Sequence, residues 1–166
     1  MADLSYRDLR PEDVDDVHAM ASDWAVVRQL GSWPWPADKA FTLSRCQPYK
    51  GDGFVWGICD QDRVIGTLGV TRGTIGYNLH PAYHGQGIMS QVAGDAVAHA
   101  FATTSIDQIR GSTWYDNAGS ARVLQKLGFV HWQTRFTHAK ARNIPTLLHD
   151  HRLTRMTWQR LRTGAQ

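Results

Sequence analysis

A chain of 166 residues has the size of one ordinary domain and buries about 70% of its unfolded surface without a covalent staple, so residues 1–166 are read as a single domain. Eighteen Lys and Arg against fifteen Asp and Glu leave a net charge of +3 and a pI near 9.1, too scattered a field to bind nucleic acid. No apolar run approaches the ~20 residues of a membrane span, Asp3, Arg7 and Asp8 interrupt any signal-like start, and Cys46 and Cys59 stand alone and far apart. These features predict a soluble, cytoplasmic chain with no disulfide and no membrane partner.

Leu4 to Leu9 alternates like a short strand, and Pro11, Glu12 and Asp13 then open a helix to about Ala21. Ser22 is read as the cap of a second helix carrying Trp24, Val27 and Leu30 until Gly31 stops it. Pro34 and Pro36 make Ser32 to Pro36 a loop, and helix resumes from Ala37 to Cys46. Gly51-Asp52-Gly53 begins an antiparallel meander of Phe54 to Cys59, Arg63 to Thr71 and Thr74 to Leu79, with turns at Asp60 to Asp62 and at Arg72-Gly73. The period then changes: Met89, Val92, Ala93, Ala96, Val97, Ala100 and Phe101 mark one face of a long helix that starts just after Gly87. Gln108 to Tyr115 is a strand, and Asn117 caps a helix whose Val123, Leu124 and Leu127 face inward before Gly128 ends it. Phe129 to Thr137 and Thr146 to Leu153 are further strands, and Thr154 caps a terminal helix carrying Met156, Trp158 and Leu161. The class is α/β (α+β), with a mixed, mostly antiparallel sheet of about six to seven strands flanked by helices.

The stretch richest in chemistry is His80-Pro81-Ala82-Tyr83-His84-Gly85-Gln86-Gly87-Ile88-Met89, between a strand and the first turn of a helix. A helix start presents unpaired amide hydrogens and the positive end of its dipole, and glycines let an oxyanion approach the backbone. The loop suits phosphate. No Lys-Ser/Thr follows it, and the three-glycine dinucleotide fingerprint is not met.

His84-Gly85-Gln86-Gly87-Ile88-Met89 resembles the pyrophosphate loop, Gln/Arg-x-x-Gly-x-Gly/Ala, of the GNAT acyltransferases, with His84 in place of Gln or Arg and Met89 in place of the last small residue. Ile75-Gly76-Tyr77-Asn78-Leu79, Asp116-Asn117-Ala118-Gly119-Ser120 and Lys126-Leu127-Gly128-Phe129 are similar to the RimJ/RimL-type branch, as are Leu9-Arg10-Pro11-Glu12-Asp13 and His149-Asp150 before Trp158. The resemblance thus covers nearly the whole chain. It implies an acetyl-CoA-dependent N-acetyltransferase with no metal, in which a splayed pair of strands forms the acetyl-CoA cleft. It also implies coenzyme contacts at Leu79, His84, Gly85, Gln86, Gly87, Ile88, Met89, Asn117, Ser120 and Lys126.

A direct amine attack on the thioester needs a neutral amine and a proton for the leaving thiolate. Many relatives carry an acidic Tyr seven residues after the Asn, where this chain has Leu124; the resemblance to the RimJ/RimL-type branch, which places a serine where Ser120 stands, makes Ser120 the candidate catalytic residue, by protonating the thiolate or hydrogen-bonding to it. No carboxylate stands on Thr74 to Leu79, where many relatives keep a Glu; Asp116, Asp150, His80 and His149 are the alternatives, acting through water. His149 and His151 share one face of a strand read as a solvated edge. His80 and His84 have four-residue spacing, but Pro81 and Gly85 argue against a shared helical face and no third ligand is anchored. Trp33, Trp35, Tyr77 and Tyr115 are expected to line the acceptor site. The acceptor is expected to be a peptide N terminus or a small-molecule amine, and the protein a monomer or homodimer; the alternative is a non-catalytic acyl-CoA-binding module.

Overall fold

The computed structural model describes residues 4–164. In chain order these form β1 (Leu4–Arg7), a 3-10 turn at Pro11–Asp13, α1 (Val14–Ala21), α2 (Trp24–Val27), α3 (Lys39–Arg45), β2 (Gly53–Asp60), β3 (Arg63–Thr71) and β4 (Thr74–Leu79). A 3-10 turn at Pro81–Tyr83 leads into α4 (Ile88–Thr103), followed by β5 (Gln108–Trp114), α5 (Ala118–Lys126), β6 (Val130–Ala139), β7 (Ile144–Thr154) and α6 (Arg155–Thr163). The strands make one seven-stranded sheet of order β1-β2-β3-β4-β5-β7-β6. Every neighbouring pair is antiparallel except β4 and β5. Those two run parallel and share one register pair, Thr74 with Arg110.

The periodicities translate directly into packing. The inward stripe of α4 buries Val92, Ala93, Ala96 and Val97 completely against Leu68, Val70, Ile75 and Ile109 of the sheet. Fully burying a side chain of valine size stabilises the fold by about 1.5–3 kcal/mol, so this one helix face anchors the central strands. On the opposite side Val17 and Met20 of α1 pack with Leu9, Cys46, Cys59 and Val64, and Trp33 leans on that cluster. A third small cluster joins Trp114, Ala139 and Leu148.

Two expectations need correction. The cap of α2 is Asp23, whose carboxylate accepts the amides of Ala25 and Val26 at 2.8 and 3.4 Å, while Ser22 closes α1. A carboxylate fits the positive end of the helix dipole, and the resulting helix is only one turn long. More consequentially, β7 is no edge. It lies between β5 and β6, so His151 is 5% exposed rather than solvated.

His151 therefore carries a cost. Its Nδ1 is buried with no hydrogen-bond partner, and His131 and His149 crowd the same face, with ring centroids 5.7 and 5.6 Å apart along the chain of contacts His151–His131–His149. Burial, helped by the charge of His131, pushes the His151 imidazole below its usual range. The unfolded chain thus takes up a proton near pH 6.5 that the folded protein refuses, and stability is lost as pH falls through that value. The thermal midpoint should drop between pH 7.5 and 5.5, and His151→Phe should flatten that slope in melts monitored by circular dichroism. An unchanged slope would show that this ring is not the acid-sensitive group.

Candidate active site

Beyond Thr74 and Arg110 the two parallel strands have no further register pairs, and a cleft of about 1370 Å³ opens there. Its walls come from β3, β4, β5, the glycine loop, the start of α5, the α2 segment and the chain from Ser44 to Lys50. Gly85 and Gly87 adopt φ of +74° and +79°, the left-handed region that glycine enters without strain, and a Cβ on either would project into open space. Gly87 also caps α4, so the first turn of this sixteen-residue helix has no side-chain cap. Its free amides and positive dipole end face the cleft wall formed by Gly87, Ile88, Met89 and Ser90. A pyrophosphate fits this arrangement of donors and bare backbone.

The departures of the loop from the expected pattern have local explanations. The His84 ring reaches back to the carbonyl of Leu79 at 2.9 Å, which requires the proton on Nε2 because a carbonyl only accepts. The loop is thereby tied to the end of β4, and the Leu79 carbonyl already holds one hydrogen bond. Met89 is 8% exposed and packs into the core beneath the loop, where a small residue would leave a void. Gln86 donates to the carbonyl of Ala82 at 2.9 Å and lies outside the cleft lining.

At the other wall, Asn117 Oδ1 accepts the Ser120 amide at 3.1 Å and caps α5. The Ser120 hydroxyl is thus left for Tyr77, whose Oη lies 2.8 Å away across the mouth of the splayed strands. Burial pushes the Tyr77 phenol up to about 12, with Ser120 pulling slightly the other way. Tyr77, Ser120, Asn117, Leu79, His84, Gly85, Gly87, Ile88, Met89 and Trp33 all line the cleft. Lys126, Trp35 and Tyr115 do not. Lys126 is exposed at the far end of α5, Trp35 packs on Trp24 with centroids 5.2 Å apart, and Tyr115 is 60% exposed just past β5.

The four groups considered as bases are also elsewhere, since none of Asp116, Asp150, His80 and His149 lines the cleft. Asp116 is clamped by two arginines that sequence reading missed: Arg142 at 2.7 and 3.0 Å and Arg28 at 2.5 Å. The Arg142 bonds, ahead of the other causes, hold its carboxyl below the usual range. Burial alone would raise Asp150, but hydrogen bonds from Arg135, Ser112 and Gln133 bring it below the usual range as well. His80 Nδ1 accepts the Ala82 amide at 3.2 Å, and His149 Nδ1 is 2.8 Å from Thr134. Among the described residues no group of three His, Cys, Asp or Glu is placed to hold a metal ion.

The sequence profile of the acetyltransferase (GNAT) domain matches residues 3–130. The chain is a member of the GNAT acetyltransferase family. The uncharacterized N-acetyltransferase YoaA of Bacillus subtilis strain 168 is 33% identical over 140 residues, covering 76% of this chain and 78% of YoaA. The fold is similar to spermidine N-acetyltransferase from Vibrio cholerae solved with CoA and spermine, with a TM-score of 0.79 at 13% identity, covering 94% and 98% of the two chains. It is also similar to RimL, the ribosomal L7/L12 α-N-protein acetyltransferase solved with coenzyme A, with a TM-score of 0.76 at 18% identity, covering 93% and 95%. This GNAT protein is an acetyl-CoA-dependent N-acetyltransferase of the family's seven-stranded fold.

The GNAT cleft depends on the arginine clamp. Arg142 sits in the β6–β7 connection, donates to the carbonyl of Arg28 and the side chain of Gln29, and lies 5.8 Å from the Trp114 ring. It ties α2, the start of α5 and the sheet together. Arg142→Ala leaves the Asp116 carboxylate with a single cation, and a loss of about 1.5–3 kcal/mol is expected in urea unfolding, the range for a hydrogen bond to a charged group. A loss below about 0.3 kcal/mol would make the clamp incidental.

Proposed function

We propose that this acetyltransferase belongs to the RimJ/RimL-like branch and acetylates a primary amine, either a peptide N terminus or a small molecule, by direct attack in a ternary complex. The observation that carries the reading is the Tyr77–Ser120 pair, 2.8 Å apart, which joins β4 to the first turn of α5 in the cleft that the glycine loop also lines. In this reading the amides from Gly85 to Ser90 hold the pyrophosphate, and the backbone near Leu79 lies beside the pantetheine arm. Asn117 fixes the first turn of α5 and so the position of Ser120. Acetyl-CoA supplies the acyl group already activated as a thioester. Ser120 donates its hydroxyl proton to the departing sulfur as it takes one from Tyr77, and the proton that the attacking nitrogen loses to water restores Tyr77 through solvent; the elevated pKa of Tyr77 keeps it protonated at rest.

No carboxylate lines the cleft among the described residues, so the acceptor must arrive largely neutral. At pH near 7.4 an α-amine of pKa about 7.7 is roughly one-third neutral and a lysine of pKa about 10.4 roughly a thousandth. The site therefore favours α-amines. We also infer a cytoplasmic location, which suits two free buried cysteines, and one domain spanning the whole chain.

Two measurements test the assignment. Gly87→Asp places a charge and a strained side chain on the loop, and calorimetry should show acetyl-CoA binding lost; unchanged affinity would reduce the loop to a turn. Ser120→Ala and Tyr77→Phe should each lower kcat by about 10–100-fold while the acetyl-CoA affinity stays within threefold, and the double variant should be little worse than either single one. Additive losses, or none, would break the proposed relay.

A further inference from the structure

The cleft holds a second pattern that the transfer chemistry does not use. Arg45, Lys50, Arg72 and Arg110 line it, and among the described residues no Asp or Glu does, although the chain contains fifteen. Five carboxylates, Asp13, Asp15, Asp16, Asp116 and Asp150, form every ion pair of the described residues, with Arg7, Lys39, Arg63, Arg28, Arg142 and Arg135, none of which lines the cleft. Arg45 has a weak contact to Ser32 and sits over the Phe41 ring. The side chains of Lys50, Arg72 and Arg110 have no hydrogen-bond or ion-pair partner among the described residues.

These cations gather at one end. Arg110 is in register with Thr74 where the strands are still joined, and its amide donates to the carbonyl of Gly73, next to Arg72. The Arg72 amide in turn donates to the carbonyl of Asp52, two residues past Lys50. From Thr74 to Leu79, where the glycine loop begins, β4 extends about 17 Å at ~3.3 Å per residue. The group is therefore a whole strand away from the amides that suit the pyrophosphate. Arg110 also shares its face of β5 with Ser112, which lines the cleft two residues further along.

Resting on the transferase reading above, we propose that the acceptor amine carries an anionic group, a carboxylate or a phosphate, which Arg110 binds at the closed end of the cleft with Arg72 and Lys50 beside it. A guanidinium pairs with either oxyanion through two parallel hydrogen bonds. Polycationic acceptors are disfavoured by the same residues, in contrast to the spermine found with the Vibrio cholerae enzyme.

The test is thiol release from acetyl-CoA by the full chain with amines matched except for the anion: O-phosphoethanolamine against ethanolamine, β-alanine against β-alaninamide, and the dipeptide amide of Glu-Ala against that of Gln-Ala, with spermidine as a cationic probe. The anionic member of at least one pair should show a kcat/KM about 10–100-fold higher, as expected for charge-assisted hydrogen bonds, and the pair that responds separates carboxylate from phosphate. Arg110→Gln should abolish that preference with the acetyl-CoA KM unchanged, and Arg110→Lys should keep part of it. Calorimetry of the preferred acceptor on the CoA complex should show the same loss in Arg110→Gln. Equal use of both members of every pair, better use of spermidine, or a preference that survives Arg110→Gln would overturn the proposal while leaving the transferase intact. Absence of thiol release with every amine would overturn both.

Discussion

Two parallel strands that join at one residue pair and then part impose the constraint around which the molecule is arranged. A sheet interior normally satisfies its backbone groups strand to strand, and an internal gap leaves two facing edges that must be held apart and partnered otherwise. Here β4 and β5 are fixed on their outer sides by β3 and β7, so neither can move to close the gap without breaking a full ladder. The start of α5 wedges the opening, and Tyr77 bridges from β4 to Ser120 on that helix. His84 covers one exposed carbonyl at the end of β4. The cleft is thus a property of the sheet, with side chains supplying its finish.

The clamp on Asp116 belongs to the same economy of position. Asp116 immediately precedes the residue that caps α5, and its two arginines come from α2's end and from the β6–β7 connection. Pairing with Arg142, itself only 10% exposed, gives the interaction more weight than a surface pair. The consequence for chemistry is negative but specific. Asp116, beside the helix that carries Ser120, is held by cations, and Asp150 is held by Ser112, Gln133 and Arg135. On the proposed reading, acid–base work is then left to the neutral hydroxyls of Ser120 and Tyr77.

The parts legible in the sequence were those set by local rules. The meander turns, the long apolar stripe of α4, the Asn117 cap and the glycine loop each depend on a few neighbouring residues, and each appears with boundaries within about two residues of those read from the sequence. What the sequence hid was non-local. Whether β7 is an edge or an interior strand depends on which side of β5 it joins, and His151 changes from solvated to buried with that choice. The clamp joins residues 88 and 26 positions apart, and no periodicity announces it. Tyr115 and Trp35 failed as cleft residues for a related reason: a strand or loop aromatic two residues from a site can point to either side.

The lack of a base and the surplus of cations bear on one another. An ammonium is hard to deprotonate when a carboxylate lies within about 4–6 Å, because the opposite charge favours its charged form. An acceptor that carries its own anion brings this difficulty with it. On the proposed reading, pairing that anion with Arg110 cancels the field that retains the proton, and the cationic end of the cleft performs part of a base's task without a titrating group. The acid limb of the kcat profile, which reports groups in the bound complex, should then move to higher pH in Arg110→Gln for an anionic acceptor, whereas for a neutral amine it should stay or rise by less than half a unit. A limb that stays in place for the anionic acceptor would confine Arg110 to binding and return the question of deprotonation to water.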